Sequence, residues 1–205
     1  MTNTSATGGP LAPSAPPAPQ PLEGQALLDF LQGLFVGILG IDGKLVRPRW
    51  QPEPPNIPTE GNAWIAFGVT ARPSDTYPFI GQLSGVDDAN QLQRHEQLTI
   101  LLSLYDLGSG GQADALAALL RYGLAVPQNR ELLQLNLMGL TEVGEPIAVP
   151  SLLKERWLYR VDMTVVIARE ILRNYPVLPL QEVVGTLTAE SDVGDLESDI
   201  EVTQE

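Results

Sequence analysis

His95 and Glu96 stand side by side, and a histidine next to a carboxylate is the elementary pairing of a general base with its helper. On a strand, however, neighbouring residues point to opposite faces, so these two cannot share a proton path. His95 is the chain's one histidine and is expected on the surface or at a strand start. Gly108-Ser109-Gly110-Gly111 has the texture of a phosphate cradle. Gln112, Ala113 and Asp114 follow where a P-loop needs Lys and Ser or Thr, and the glycine spacing misses the dinucleotide fingerprint. A flexible strand-to-helix turn is the expectation. Asp87-Asp88 offers oxygen to a divalent cation without further spaced ligands, which reads as a loop of solvated acids. Asp106 or Asp162 could serve a small carboxylate hydrolase, but Asp162 close to Arg160 on a strand reads as a paired sheet-face residue.

The chain has no cysteine, which removes disulfides, thiolate nucleophiles and cysteine metal sites. With one histidine, zinc clusters and Ser-His-Asp chemistry have little to draw on. The expectation is a protein that is not an enzyme and holds no cofactor or metal.

A second group of residues suits docking rather than catalysis. Arg47, Arg49 and Trp50 open an arm, Arg47 to Pro58, that contains Pro48, Pro52, Pro54, Pro55 and Pro58. Five prolines remove five amide donors and hold φ near −65°, so the arm can be neither a helix nor a central strand. A segment ordered in advance loses little conformational entropy on docking, and Arg and Trp are enriched at interface hot spots. Arg47, Arg49, Trp50, Pro52, Pro55 and Ile57 are therefore candidates for a partner interface, joined on the last long strand by Arg160 and Asp162. The competing reading is a strapped surface loop with Trp50 folded onto its own core.

These residues must be held by a body of about residues 23–180, between a Pro/Ala-rich segment 1–22 and an acidic segment 181–205. Residues 1–22 carry no charge and six prolines, and read as a disordered tail. Residues 181–205 hold eight acids and no base, out of a net charge of −13. That segment reads as mobile, with Val183, Val184, Leu187, Val193, Leu196 and Ile200 available to a partner. The acidic balance disfavours sequence-independent nucleic-acid binding. The greasiest run, Leu27 to Ile41, is interrupted by Asp29, Gln32 and three glycines and falls short of a membrane span. No signal peptide is expected.

Within the body, Leu27, Leu28, Leu31, Leu34, Phe35 and Ile38 predict a helix over Gly24 to Leu39, followed by a turn at Asp42-Gly43 and an extended piece, Lys44 to Val46. Ala63 to Thr70 and Gln91 to Leu107 alternate as strands, the latter with Leu98, Ile100, Leu102 and Leu104 on one face. A helix over Gln112 to Leu124 is expected to bury Leu116, Leu119, Leu120 and Leu124, and a short helix follows over Gln128 to Leu135. Short strands at Met138 to Val143 and Ile147 to Val149 precede a long one, Arg156 to Ile171. Its predicted core face is Trp157, Tyr159, Val161, Met163, Val165 and Ile167, with Arg160, Asp162, Thr164 and Arg169 opposite. The order predicts a single α+β domain: a mostly antiparallel sheet with helices packed on one face and disordered tails at both ends.

Two stretches carry a resemblance. One is RWQPEPPNIPTEGNAWIAFGV, the arm and its strand. The other is GLAVPQNRELLQLNLMGLTEVGEPIAVPSLLKERWLYRVDMTVVIAR, Gly123 to Arg169. Its recognisable pieces are Pro127-Gln128-Asn129-Arg130, the Gly144 turn leading to Val149-Pro150, and the Trp157-to-Arg169 strand centred on Arg160-Val161-Asp162-Met163. Together they resemble the neck or tail terminator proteins of tailed bacteriophages over most of residues 45–170, with both terminal segments outside. The resemblance implies a compact α/β domain in a virion protein of the neck. It implies a ring, usually hexameric, that caps the head-proximal end of the tail and stops tube growth. Implied partners are further copies of itself, the tail tube protein, the head-neck connector and, in contractile tails, the sheath. Genomic DNA would only pass through the lumen, no membrane is involved, and assembly would take place in the host cytoplasm. Alternatives are another neck or head-completion subunit, a tube-like subunit, and an adaptor that binds peptides on a strand edge.

Overall fold

A computed structural model describes residues 3, 8–14, 20–51, 63–82, 90–108, 111–149, 151–153, 156–177, 182–189 and 196–203. The chain divides into two compact units, one of Pro17–Phe79 and Gln93–Leu172, the other of Met1–Pro16, Ile80–Leu92 and Arg173–Glu205.

The larger unit begins with α1 (Gly24–Leu39), over the residues predicted. Leu27, Leu31, Leu34, Phe35 and Leu39 recur on one face and are buried. Gly40 ends the helix at φ 64°, a conformation glycine adopts without strain, and its N–H donates to the Val36 carbonyl at 2.8 Å. The Asp42 carboxylate then accepts from the Lys44 N–H at 2.9 Å. That local bond favours a turn over an extended chain. Gly43–Leu45 is accordingly a 3-10 turn, and the strand expected over Lys44 to Val46 starts only at Val46, as β1 (Val46–Pro48).

β2 (Trp64–Ala71), β3 (Phe79–Gln82) and β4 (Asn90–Asp106) lead to two helices, α2 (Gly111–Ala125) and α3 (Pro127–Gln134). Then come β5 (Met138–Val143), β6 (Ile147–Ala148), β7 (Ser151–Leu153) and the 20-residue β8 (Arg156–Tyr175). The sheet runs β1-β2-β4-β8-β5, with β3 on β4 and with β6 and β7 on β8. β1 lies parallel to β2, whereas β4 runs antiparallel to β2, and β5, β6 and β7 run antiparallel to β8. The fold is α+β with a mostly antiparallel sheet, as expected.

One sheet face carries the core. Ile65 and Phe67, then Leu98, Ile100, Leu102 and Leu104, then Val161, Met163, Val165 and Ile167 are all buried there together with residues of the three helices. Phe35 of α1 meets Phe67 of β2 edge to face, at 5.3 Å between ring centres.

Three side-chain expectations are corrected. In α2 the buried stripe is Ala113, Ala117, Leu120 and Leu124; Leu116 is half-buried and Leu119 is 47% exposed. Small residues at the first two positions let the helix approach closely, and Leu119 lies about 100° round the helix from Leu120. Trp157 leaves the predicted core face and is 72% exposed, paired across β7 with Leu152, while its neighbour Leu158 is buried. Arg169 shares the odd-numbered face of Val161 to Ile167 rather than that of Arg160, so it is buried. There it donates through Nε to Glu96 Oε2 at 2.6 Å and through Nη1 to the Leu22 carbonyl at 2.6 Å, which neutralises the charge and ties down the entry to α1.

In the smaller unit, the acidic segment contains paired strands, β9 (Glu182–Ala189) and β10 (Leu196–Thr203), antiparallel from Leu196↔Ala189 to Thr203↔Glu182. Period-two placement of Leu196, Ile200 and Val202 between Glu197, Asp199 and Glu201 suits a strand. Ser14 donates its N–H to the Asn174 carbonyl at 2.8 Å.

Candidate docking face

The sheet face opposite the helices holds four of the eight residues singled out for docking, Arg49, Trp50, Arg160 and Asp162. β1 is an edge strand whose register sets Arg47 beside Ala66 and Pro48 beside Phe67. An edge is where a proline is tolerated in a sheet. One residue further on, the Arg49 N–H donates to the Phe67 carbonyl at 2.7 Å and carries the chain along β2. Trp50 follows at φ 57°, a left-handed conformation that strains a bulky residue. Its ring crosses β2 at Gly68, where a Cβ would stand 2.7 Å from Trp50 Cζ3 and 3.2 Å from Arg49 Cβ. A glycine inside a strand allows this close approach. Trp50 still leaves 72% of its surface exposed.

Arg49 then reaches across the face. Its Nη2 donates to the hydroxyl of Ser103 on β4, and that hydroxyl donates to Asp162 Oδ1 on β8. Asp162 Oδ2 meets Arg160 Nη2 at 3.1 Å. Two arginines and one carboxylate thus span three strands through a buried serine. The Nε atoms of Arg49 and Arg160 are buried without a hydrogen-bond partner, as is the indole N–H of Trp64. Trp64 stacks on its cross-strand partner Tyr105 at 4.1 Å and 13°. Ile147, paired with Asp162 across β6 and β8, is 63% exposed.

The structure therefore brings Arg49, Trp50, Arg160 and Asp162 together. Arg47 lies close by on β1, with its Nε donating to the Lys44 carbonyl at 2.5 Å. Pro52, Pro55 and Ile57 lie outside the described residues. Sequence reasoning missed Ser103, Gly68 and the Trp64–Tyr105 stack. Gly68, alone inside a strand pattern, was the one available signal.

The described residues weighed for catalysis have the following partners. His95 is exposed, and its Nδ1 lies 3.0 Å from Asp75 Oδ2. Asp75 also accepts the His95 backbone N–H at 3.1 Å, and these two bonds hold its carboxyl below the usual carboxylate range. Glu96 pairs with Arg169 instead, so the adjacent His95 and Glu96 have separate partners. Asp106 is buried and accepts from the Gly108 N–H at 2.7 Å and the Gln112 N–H at 3.2 Å, tying the end of β4 to the start of α2. Asp87 and Asp88, and Ser109 and Gly110 of the glycine-rich stretch, lie outside the described residues. Tyr159 donates its hydroxyl to Asp114 Oδ2 at 3.0 Å, linking β8 to α2; that bond raises its pKa. Among the described residues no three His, Asp or Glu groups cluster as a metal site, and no helix is long and apolar enough to cross a membrane.

The sequence model of the phage neck terminator protein matches residues 25–197. The chain belongs to that family, and so is a structural component of the phage neck. The match takes in α1 and β9, beyond the 45–170 span of the resemblance. No curated protein sequence matches the chain.

Proposed function

We propose that the chain is the subunit of a closed ring, hexameric as is usual for tail terminators, at the head-proximal end of the tail. The ring ends tail tube polymerisation, and sheath polymerisation where the tail is contractile, and joins the tail to the head-neck connector. Its partners are its own copies, the tube protein, the connector and the sheath, with DNA passing through the lumen and assembly in the host cytoplasm. The family match carries this reading. The sheet face supports it: Arg49, Ser103, Asp162 and Arg160 form one polar chain across it, and Trp50, next to Arg49 in the chain, lies over Gly68 with most of its surface exposed. Aromatic and arginine side chains of this kind anchor interfaces. Arg47, Pro52, Pro55 and Ile57 extend the interface along the arm.

Native mass spectrometry over a concentration series, with and without purified tail tubes, tests the reading. A discrete ring-sized oligomer, free or formed on tubes, is expected. A monomer indifferent to tubes returns an adaptor, and open-ended polymers return a tube subunit; either result overturns it. Deleting Gln51 to Pro58 is expected to abolish ring closure with the fold retained.

A further inference from the structure

A second surface lies apart from that face, at the corner where α2 meets α3. Leu119, Tyr122 and Val126 follow at three- and four-residue spacing and are 47%, 74% and 45% exposed. They leave apolar surface exposed along this corner. Beside it, a groove of about 460 Å³ runs between α2, α3 and β5, lined by Arg121, Tyr122, Arg130, Leu140 and Glu142 among others. β5 is the terminal strand of the sheet path, so its outer backbone groups have no strand partner among the described residues. Arg121 makes no ion pair among the described residues, and Arg130 donates through Nε to the Leu124 carbonyl at 3.1 Å. The groove offers backbone hydrogen bonds, apolar contact and two positive charges against one carboxylate.

An extended, acidic, partly apolar segment complements all three. This chain contains one. Residues 181–205 hold eight acids and no base. β10 alternates Glu197, Asp199 and Glu201 with Leu196, Ile200 and Val202, and β9 covers one of its edges, leaving the other without a strand among the described residues. The family match runs through residue 197, into this segment.

We infer that β10 of one copy adds to the edge of β5 in a neighbouring copy, its carboxylates neutralising Arg121 and Arg130. Strand addition at an open edge supplies main-chain hydrogen bonds, and the charges set register and partner choice. The contact is heterologous, joining two different patches, which is the type a closed ring requires. The inference rests on the ring reading.

The absence of native cysteine allows a direct test. The double variant Thr141→Cys/Asp199→Cys is oxidised at a concentration where the wild-type oligomer is present. A ladder of disulfide-linked multimers is expected, because the bond forms between copies. A product that remains monomeric, whether bridged within the chain or unbridged, overturns the inference. Independently, Arg121→Glu, or Glu197→Lys/Asp199→Lys, is expected to raise the concentration needed for assembly by about tenfold or more. Combining the two changes is expected to restore assembly toward wild type. Single reversals that assemble like wild type overturn this contact and leave the ring standing. A wild-type chain that stays monomeric with tail tubes overturns both.

Discussion

Gly68 and Trp50 fit each other. A Cβ on Gly68 would stand 2.7 Å from Cζ3 and 3.3 Å from Cε3 of the indole, closer than side chains tolerate. Trp50 adopts φ 57° while lying there. Left-handed backbone at a bulky residue costs on the order of 1–3 kcal/mol and persists only where the surroundings impose it. The surroundings here are the Arg49 backbone bond to Phe67 and the Arg49 side chain on Ser103.

Gly68→Ala is therefore expected to destabilise the protein by about 1–3 kcal/mol through overpacking. In a Trp50→Ala background the cost falls, leaving the smaller conflict with Arg49 Cβ at 3.2 Å. Urea denaturation of the four-member cycle measures the coupling. Equal costs in both backgrounds would refute the contact.

Gly123 sets the approach of α2 to α1. A Cβ there would lie 2.2 Å from Ile38 Cγ2. Alanine gains up to about 1 kcal/mol in helix propensity, but overpacking loses about 1–3 kcal/mol, so Gly123→Ala is expected to destabilise. Trimming Ile38 to alanine removes the obstruction, and in that background the same change should become stabilising. Thermal melts of the two pairs show whether the sign reverses.

Arg169 and Glu96 form a buried pair whose Nη2···Oε2 distance is 2.5 Å, with Arg169 also holding the Leu22 carbonyl. Arg169→Ala strands a carboxylate and an acceptor together, and about 3–5 kcal/mol of stability should be lost. Arg169→Met/Glu96→Leu removes both charges and should lose less than Arg169→Ala alone. Chemical denaturation that ranks the double variant below the single one would contradict the pairing.

Asp75 carries a pH dependence. Its folded pKa is depressed by the His95 backbone N–H first and the His95 ring second. A depressed carboxylate stabilises the fold above its unfolded pKa of about 3.9, and that contribution disappears as pH falls through the folded value. Carbon-13 NMR titration should place the Asp75 midpoint below the usual carboxylate range. In His95→Ala the midpoint should rise part of the way only, because the larger cause is a backbone N–H that the substitution retains.

Much of this protein could be read before folding. The leucine and phenylalanine spacing of Gly24 to Leu39 announces α1, and Leu98, Ile100, Leu102 and Leu104 announce the core face of β4. Periodicity encodes which residues leave water, and burial of those residues is the dominant local driving force. Arg49, Trp50, Arg160 and Asp162 could be nominated by residue type alone. Their convergence could not, because it depends on β4 separating β2 from β8 and on Ser103 standing between Arg49 and Asp162. Strand order and register join residues 49, 103 and 162 by contacts far apart in the chain, which no local pattern records. The same holds for the burial of Arg169, whose charge is tolerated only because Glu96 and Leu22 arrive beside it from other parts of the sequence. Trp157 shows the converse. Its residue type favours the core, yet it is exposed while its neighbour Leu158 is buried, and only the tertiary layout decides which of the two faces inward.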